Sequence, residues 1–511
     1  MRIVRSIVLI SSAALAAGCA VGPRYHRPEA PAHAGYAPLP LPQTSASAPI
    51  HGGEAQRLIG DRDIPFEWWE LFKSPALNVL VERAFRANPT IAAAQAALVQ
   101  AQELVCAQRG YFFPTINANY SFERQKIAGN LTLDNVPGVE GDGHNDLPPV
   151  QSLDTSPHTH PFFYDLHTAQ LTVGFVPDVF GANRRQVETL EAQTDAQRYA
   201  LEATYVTLAS NVVAAAIQEA SLRAQIEATR RIIAADTKSL QILRDQLRLG
   251  FAMRIDVAAQ EAALGQAKTL LPPLQKQFEQ TRDLMRALVG NLPNDDLPQT
   301  FELDALQLPP ELPLSLPAKI IEQRPDVRAA EAQLHAANAQ VGVAVAAMLP
   351  QFSITGNLGG TADEFAWLFR TGGPFWTIVG GVTQPIFEGG TLLHMKRAAN
   401  AALRQAAAQY QSTVIAAYQN VADTLHASLS DADALTADVH AENSAKLTYD
   451  LTRRQLEAGY ANTLALLSAE ITYQQTLLTR VQAEATRYGD TVAMFQALGG
   501  GWWNRKVVAA R

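Results

Sequence analysis

The chain has 511 residues, with 41 Lys+Arg against 49 Asp+Glu, two Cys, 47% apolar and 18% charged residues. A net charge of −8 offers no cation excess to neutralise phosphates, which argues against a nucleic-acid binder. Beyond residue 18 no run of 18 or more apolar residues occurs, so no later transmembrane helix is expected, a test that says nothing about β-barrels. Alanine is roughly one residue in six, far above average usage and suited to long, closely approaching helices.

Arg2 and Arg5 form a basic start, and Ile7 to Ala17 is an apolar stretch too short to span a bilayer. Leu15-Ala16-Ala17-Gly18-Cys19 then closes on small residues and a Cys. This looks like a bacterial lipoprotein signal (1–18), cleaved before Cys19 with acylation of its thiol. The alternative is an ordinary signal peptide with an incidental Cys. Ala20 in place of an Asp implies sorting to the outer membrane. If Cys19 is acylated, Cys106 is the one thiol left, expected as a small buried residue in an Ala/Gln-rich helix.

Residues 19–63 carry Pro23, Pro28, Pro31, Pro38, Pro40, Pro42 and Pro49. Such spacing favours an extended tether with a reach of about 100 Å. Ordered structure is expected from Ile64-Pro65-Phe66-Glu67-Trp68-Trp69.

The remainder is an internal repeat. Ala87-Asn88-Pro89 matches Gln323-Arg324-Pro325, and Phe113-Pro114 matches Leu349-Pro350, both at an offset of 236. Leu249-Gly250-Phe251-Ala252 matches Ala458-Gly459-Tyr460-Ala461 at 209, and Ala287-Leu288-Val289-Gly290 matches Ala497-Leu498-Gly499-Gly500 at 210. The halves run over 64–300 and 301–503, joined by a Pro-rich connector near 291–317, with a tail at 504–511. Each half opens with a helix, near 75–109 and 318–347. Two strands follow in each, near 114–124 and 166–177, then near 350–359 and 374–386. Ile116, Ala118, Tyr120 and Phe122 alternate with Asn117, Asn119 and Ser121, which fits a spanning β-strand with one apolar face or the edge of a soluble sandwich. An insertion from about Arg124 to Asp165, rich in Gly, Pro, Asn, Asp and His, reads as an exposed loop.

Long helical hairpins complete each half, over 182–290 and 390–497. From Ala182 to Leu249 there are 68 residues without Pro or Gly, about 100 Å of helix. Positions 205, 212, 219, 226, 233, 240 and 247 hold Tyr, Val, Glu, Ile, Ile, Leu and Leu. The companion row holds Leu208, Ala215, Leu222 and Leu243, with Thr229 and Asp236 as polar exceptions. That is a heptad, hence a coiled-coil seam. The long helices end at Gly250-Phe251 and Gly459-Tyr460 and reverse. Pro272-Pro273 is expected to break or offset the first return helix.

Four strands cannot close a spanning barrel, which needs about eight, and an open edge in lipid costs several kcal/mol per unsatisfied group. If the strands are membranous, several chains must share the barrel. Two would give eight strands and three would give twelve.

The motifs Gly18-Cys19-Ala20-Val21-Gly22-Pro23 with Tyr25 and Arg27-Pro28, Trp68-Trp69-x-x-Phe72, Arg324-Pro325-Asp326-Val327, and Ala497-Leu498-Gly499-Gly500-Gly501-Trp502 together resemble the TolC/OprM family of outer-membrane efflux ducts, in its lipoprotein branch. The resemblance implies an α+β membrane protein with a 12-stranded outer-membrane barrel, four strands per chain of a homotrimer, continuous with a coiled-coil periplasmic barrel. It implies a periplasmic adaptor and an inner-membrane transporter of the RND type as partners, beside outer-membrane lipid. Leu249-Gly250-Phe251 and Ala458-Gly459-Tyr460 would be the tips that meet the adaptor. By position from Gly459, Leu464 and Ser468 would face the closed periplasmic aperture. Ser468 stands where relatives typically have Asp, and Ala465 where some have another. Asp256, six residues after Gly250, would be the acid remaining at the entrance. Leu464 reads alternatively as a coiled-coil seam residue.

No Gly-x-Ser-x-Gly, His-Glu-x-x-His, Cys-x-x-Cys or phosphate-cradling Gly-rich loop is present, so no enzyme and no cofactor are expected. His158-Thr159-His160 with His144 reads as a solvated loop rather than a metal site. The competing readings are a non-conducting envelope lipoprotein and a duct for type I protein secretion. With only six Met, no soft-metal relay is visible.

Overall fold

The computed structural model describes residues 20–29, 35–38, 42–127, 162–315 and 317–505. Residues 1–19, with the signal and Cys19, lie outside this set, as do most of the 124–165 insertion with its His residues and the end of the tail. The chain divides into two compact units.

The first unit takes described residues up to Arg24, Leu104–Thr189 and Asn338–Asn400. It holds a four-stranded antiparallel sheet of β2 (Thr115–Ile127), β3 (Phe162–Phe175), β5 (Gln351–Ala362) and β6 (Pro374–Thr383), paired in that order. The register is fixed by the alternation, because a one-residue slip would turn every side chain over. Ala118, Leu171, Leu358 and Trp376 fall in one row across the four strands. Asn117, Thr172, Asn357 and Thr377 form the next, on the opposite face.

The second unit takes Tyr25–Glu103, Leu190–Ala337 and the described residues from Ala401. A parallel strand pair, β1 (Arg57–Gly60) with β4 (Glu311–Leu314), lies in it. Here the motif residues converge. Trp68, fully buried, stacks on Phe495 with ring centres 5.1 Å apart. Arg324 grips Asp326 through Nε at 3.0 Å and Nη2 at 2.7 Å, and donates from Nη1 to the Ala497 carbonyl at 2.8 Å. Trp502 Nε1 donates to the Gln323 carbonyl at 2.6 Å. These residues hold the fold, each large buried aromatic being worth about 2–3 kcal/mol.

The opening helices of both halves are each broken in two. α1 (Pro75–Ala87) stops before α2 (Pro89–Gly110), and α5 (Pro317–Gln323) stops before α6 (Pro325–Ala346). The cause is the proline: it bars the preceding residue from helical backbone, and Asn88 sits extended at φ −70°, ψ 122°. The long helices are α3 (Ala182–Arg248) and α7 (Thr391–Glu457), each 67 residues; the return helices are α4 (Arg254–Leu288) and α8 (Thr463–Ala497), each 35 residues.

Four further expectations change. α4 runs unbroken through Pro272 and Pro273. Both prolines are on its exposed side, where the two missing donors cost least and the flanking turns persist. The helix ends repeat at 209 rather than 210: Gly290 and Gly499 are the paired left-handed residues (φ +76° and +94°), with Asn291 N–H bonded to Arg286 O and Gly500 N–H to Phe495 O, each at 2.8 Å. Cys106 is exposed, because its neighbour Val105 takes the inward position on α2. The described parts of the Pro-rich N-terminal segment pack on the chain and are not a free tether. Tyr25 stacks on His335 at 4.2 Å, Tyr36 Oη donates to Ser315 O at 2.8 Å, and Gln56 Nε2 donates to Pro309 O and Thr491 Oγ1, both at 3.1 Å. Order therefore begins well before Ile64. The connector is likewise core: Leu297, Phe301, Leu306 and Leu312 are buried.

α3 contains a stretch that is apolar enough in composition to cross a membrane, but 67% of it is buried within the chain. It is the heptad seam. Tyr205, Val212, Ile226 and Leu240 are buried, as are Leu208, Ala215, Leu222 and Leu243. The polar exceptions are buried too. Glu219, fully enclosed, binds Arg223, accepts from Arg282 Nη1 at 3.5 Å and from the Phe301 N–H at 3.0 Å.

Candidate functional site

The sheet has two chemically distinct faces. On one, Ile116, Tyr120, Leu358, Trp376, Ile378 and Val382 are each more than half exposed. An apolar band that wide on a soluble sheet would be an aggregation liability; in lipid it is the required surface. On the other face Thr172 Oγ1 donates to Asn357 Oδ1 at 2.9 Å, and Asn357 Nδ2 donates to Thr377 Oγ1 at 3.2 Å. That ladder is suited to water. β2 and β6 are the edges of the sheet, and neither has a second strand partner among the described residues.

Both helical tips close with the same hydrogen-bond pattern. Gly250 (φ +84°) donates to Leu247 O at 3.0 Å and Phe251 to Gln246 O at 2.8 Å; Gly459 (φ +79°) donates to Leu456 O at 3.0 Å and Tyr460 to Gln455 O at 2.8 Å. This is the Schellman closure, whose left-handed residue glycine adopts without strain. Around either glycine nothing lies within 4 Å of a would-be Cβ. The flanking side chains stand out from the chain, Leu249 67%, Phe251 81% and Tyr460 87% exposed.

The return helices then start with different chemistry. In α4, Asp256 reaches back: its Oδ2 accepts from the Met253 N–H at 3.0 Å. In α8 the cap is Asn462, whose Oδ1 accepts from the Ala465 N–H at 2.8 Å. Ala465 is the counterpart of Asp256, so the second hairpin dispenses with an acid there because Asn462 does the capping. Leu464 is 67% exposed while Leu467 is buried, so Leu464 is not a seam residue within its own chain. Ser468 is exposed on the same side. The sequence reading missed Ile255, the counterpart of Leu464 at an offset of 209 and 69% exposed, and Met253, 67% exposed. The offset itself was the available signal.

Above the tips, the seam holds a buried acid pair. Asp236 on α3 accepts from Gln260 Nε2 of α4 at 3.2 Å and shares a hydrogen bond with Glu470 of α8. Burial first, then the Asp236 charge, pushes Glu470 up to about 7, and burial likewise raises Asp236. Two carboxyls so placed resist ionising together.

A sheet with one exposed apolar face and one polar face, in a chain with helices of this length, fits a channel-forming protein of the outer membrane. The sequence profile described as "Outer membrane efflux protein" matches residues 80–291 and 316–500. The chain belongs to that family. Among curated relatives it is 26% identical over 465 residues to the pyoverdine export outer membrane protein OpmQ of Pseudomonas putida, covering 91% of this chain and 94% of that one. It is 27% identical over 495 residues to the toluene efflux pump outer membrane protein TtgF of the same species, covering 95% of each. Among solved structures, the outer-membrane channel OprN superposes with a TM-score of 0.79 at 25% identity, over 95% of this chain and all of that one. Campylobacter jejuni CmeC gives 0.79 at 20% identity, over 94% and 95%.

Proposed function

We propose that this protein is the outer-membrane exit duct of a tripartite efflux pump, built as a homotrimer with a 12-stranded barrel. The observation that carries the trimer is the four-stranded sheet with two faces and two unpaired edges. Closure across chains pairs every edge, as lipid demands, and three copies leave a water-filled lumen where two would not. The family membership supports the efflux role, and the relatives' names support export of small organic molecules, among them a siderophore and an aromatic solvent. The tips Leu249-Gly250-Phe251 and Ala458-Gly459-Tyr460 meet the periplasmic adaptor, which joins the duct to an inner-membrane transporter. Their exposed Leu, Phe and Tyr side chains suit such a contact.

Leu464 and Ser468 line the closed periplasmic aperture, with Ile255 as the pseudo-equivalent of Leu464. Asp256 adds the entrance charge while capping α4. Acylation of Cys19 fits the described chain that follows it. Val21 N–H donates to Phe180 O at 3.1 Å, and Gly181 (φ +77°) packs on Ala20, so the segment after Cys19 is fixed at the β3–α3 corner beside the strand ends.

The test is single-channel conductance in planar bilayers with cross-linked trimers as the assembly control. Leu464→Ser should raise conductance, and Ser468→Asp should raise cation preference, since an acidic ring attracts cations. Unchanged conductance in intact Leu464→Ser trimers would move the gate elsewhere. Absence of any conductance would favour a non-conducting envelope lipoprotein.

A further inference from the structure

We propose that His51, Asp304 and Glu484 form a binding site for one divalent transition-metal cation of the zinc type. One donor atom from each residue lies within 4.8 Å of the donors of the other two. The three come from distant parts of the chain: the N-terminal segment, the 3-10 turn Leu303–Ala305 and α8. No sequence spacing could have shown them together.

The site is built rather than accidental. The turn carrying His51 is closed by Ala48 N–H to Gly53 O at 2.8 Å and Gly53 N–H to Ile50 O at 3.1 Å. Gly52 (φ +72°) rests so closely on α8 that an added Cβ would stand 2.9 Å from the Tyr488 ring and 3.2 Å from Glu484 Cγ. Asp304 is held beside buried Leu303. Glu484 supplies the independent observation. Its side chain is only 3% exposed; Oε2 accepts from Arg480 at 2.5 Å, while Oε1 is buried with no hydrogen-bond partner among the described residues. A buried carboxylate oxygen without a donor costs free energy, and a cation supplies what the missing donor would. Arg480 does not remove the local negative charge, because it is shared with Glu442 at 2.9 Å and Glu54 stands nearby. Arg487 is engaged through Nη2 alone, which donates to Ser45 Oγ at 3.0 Å and Glu54 O at 2.5 Å, while its buried Nε and Nη1 have no hydrogen-bond partner among the described residues.

One imidazole and two carboxylates suit Zn²⁺, Co²⁺ or Ni²⁺ better than hard Ca²⁺, which takes oxygen ligands, or Cu(I), which takes sulfur. Three protein ligands leave a fourth position for water. Such an ion would tie the N-terminal segment, the connector between halves and α8 together, and would stabilise the folded chain by mass action.

The experiment uses the full chain in detergent, untagged and stripped with EDTA, with His144, His158 and His160 changed to Ala so that the loop histidines cannot contribute. ZnCl₂ is titrated against a chromophoric chelator, and CoCl₂ is followed by its visible absorption bands. We expect one equivalent per chain, a four-coordinate Co²⁺ spectrum and a melting temperature raised by zinc. His51→Ala and Asp304→Asn, both on segments outside the α-helices, should each weaken binding by about tenfold or more and abolish the thermal shift. Glu484→Gln should do the same. Binding or a thermal shift that persists in the His51→Ala, Asp304→Asn double variant would overturn the site, as would no zinc uptake by the parent.

Discussion

Asp256 and Asn462 occupy the starts of return helices with the same length and pitch, yet one caps from the third helical position backwards and the other from the cap position forwards. Either solution satisfies a free N–H of the first turn, and each is worth about 1 kcal/mol. Gly459 sits beside this cap with open space around it. Gly459→Trp should therefore cost only the left-handed backbone penalty, about 1–2 kcal/mol, and leave trimers intact on non-denaturing gels. What it should abolish is cross-linking of a periplasmic adaptor to the tip. Intact cross-linking in the variant would reduce the glycine to a helix terminator and place docking elsewhere.

At the scale of elements, the acid pair Asp236–Glu470 makes helix packing dependent on pH. Glu470 lies raised to about 7 in the fold, and an exposed carboxyl in the unfolded chain titrates near 4. Between those values the folded state binds more protons than the unfolded one, so stability falls as pH rises through the window. Acidification from pH 7.5 to about 5 should raise the melting temperature of the wild type. Glu470→Gln should be more stable than the wild type at pH 7.5 and should flatten the dependence; an unaltered slope would assign it to other groups. The seam itself was legible, since an apolar side chain recurs at six of seven positions spaced by seven along α3 from Tyr205 to Leu247. Its polar members were not. Glu219 and Asp236 read as exceptions to the heptad because their partners, Arg282, Phe301, Gln260 and Glu470, lie from 24 to 234 residues away. The tips were legible for the opposite reason: a Schellman turn is written in consecutive residues. The proline breaks after Asn88 and Arg324 follow a local rule that was available, whereas Pro272-Pro273 obeys the surroundings of α4 rather than its sequence. The packed N-terminal segment was missed because proline-rich composition reports an extended backbone and not what the backbone lies against.

For the molecule as a whole, the proposed barrel turns on which face of the sheet meets lipid. Leu358 and Asn357 are chain neighbours on opposite faces. Leu358→Arg should cost about 2–4 kcal/mol of folding into a bilayer if its row sits near the midplane, and should lower the yield of membrane-embedded trimer. Asn357→Arg should assemble normally and alter conductance. Equal defects from both would mean that the sheet is not half in lipid and half in water.

The matched lengths of the hairpins carry a consequence for how such a protein can change over generations. Helices of 67 and 35 residues occur twice, with identical spacing from first residue to last. A seven-residue insertion into α3 alone would lengthen that helix by about 10 Å, and the seam would then require a compensating insertion in α4 to restore the hairpin. Its twin hairpin would still be short. A change of length that keeps both hairpins matched therefore takes four insertions, two per half. The two halves have drifted apart in sequence along most of these helices, while within this chain the paired lengths of 67 and 35 residues stay matched.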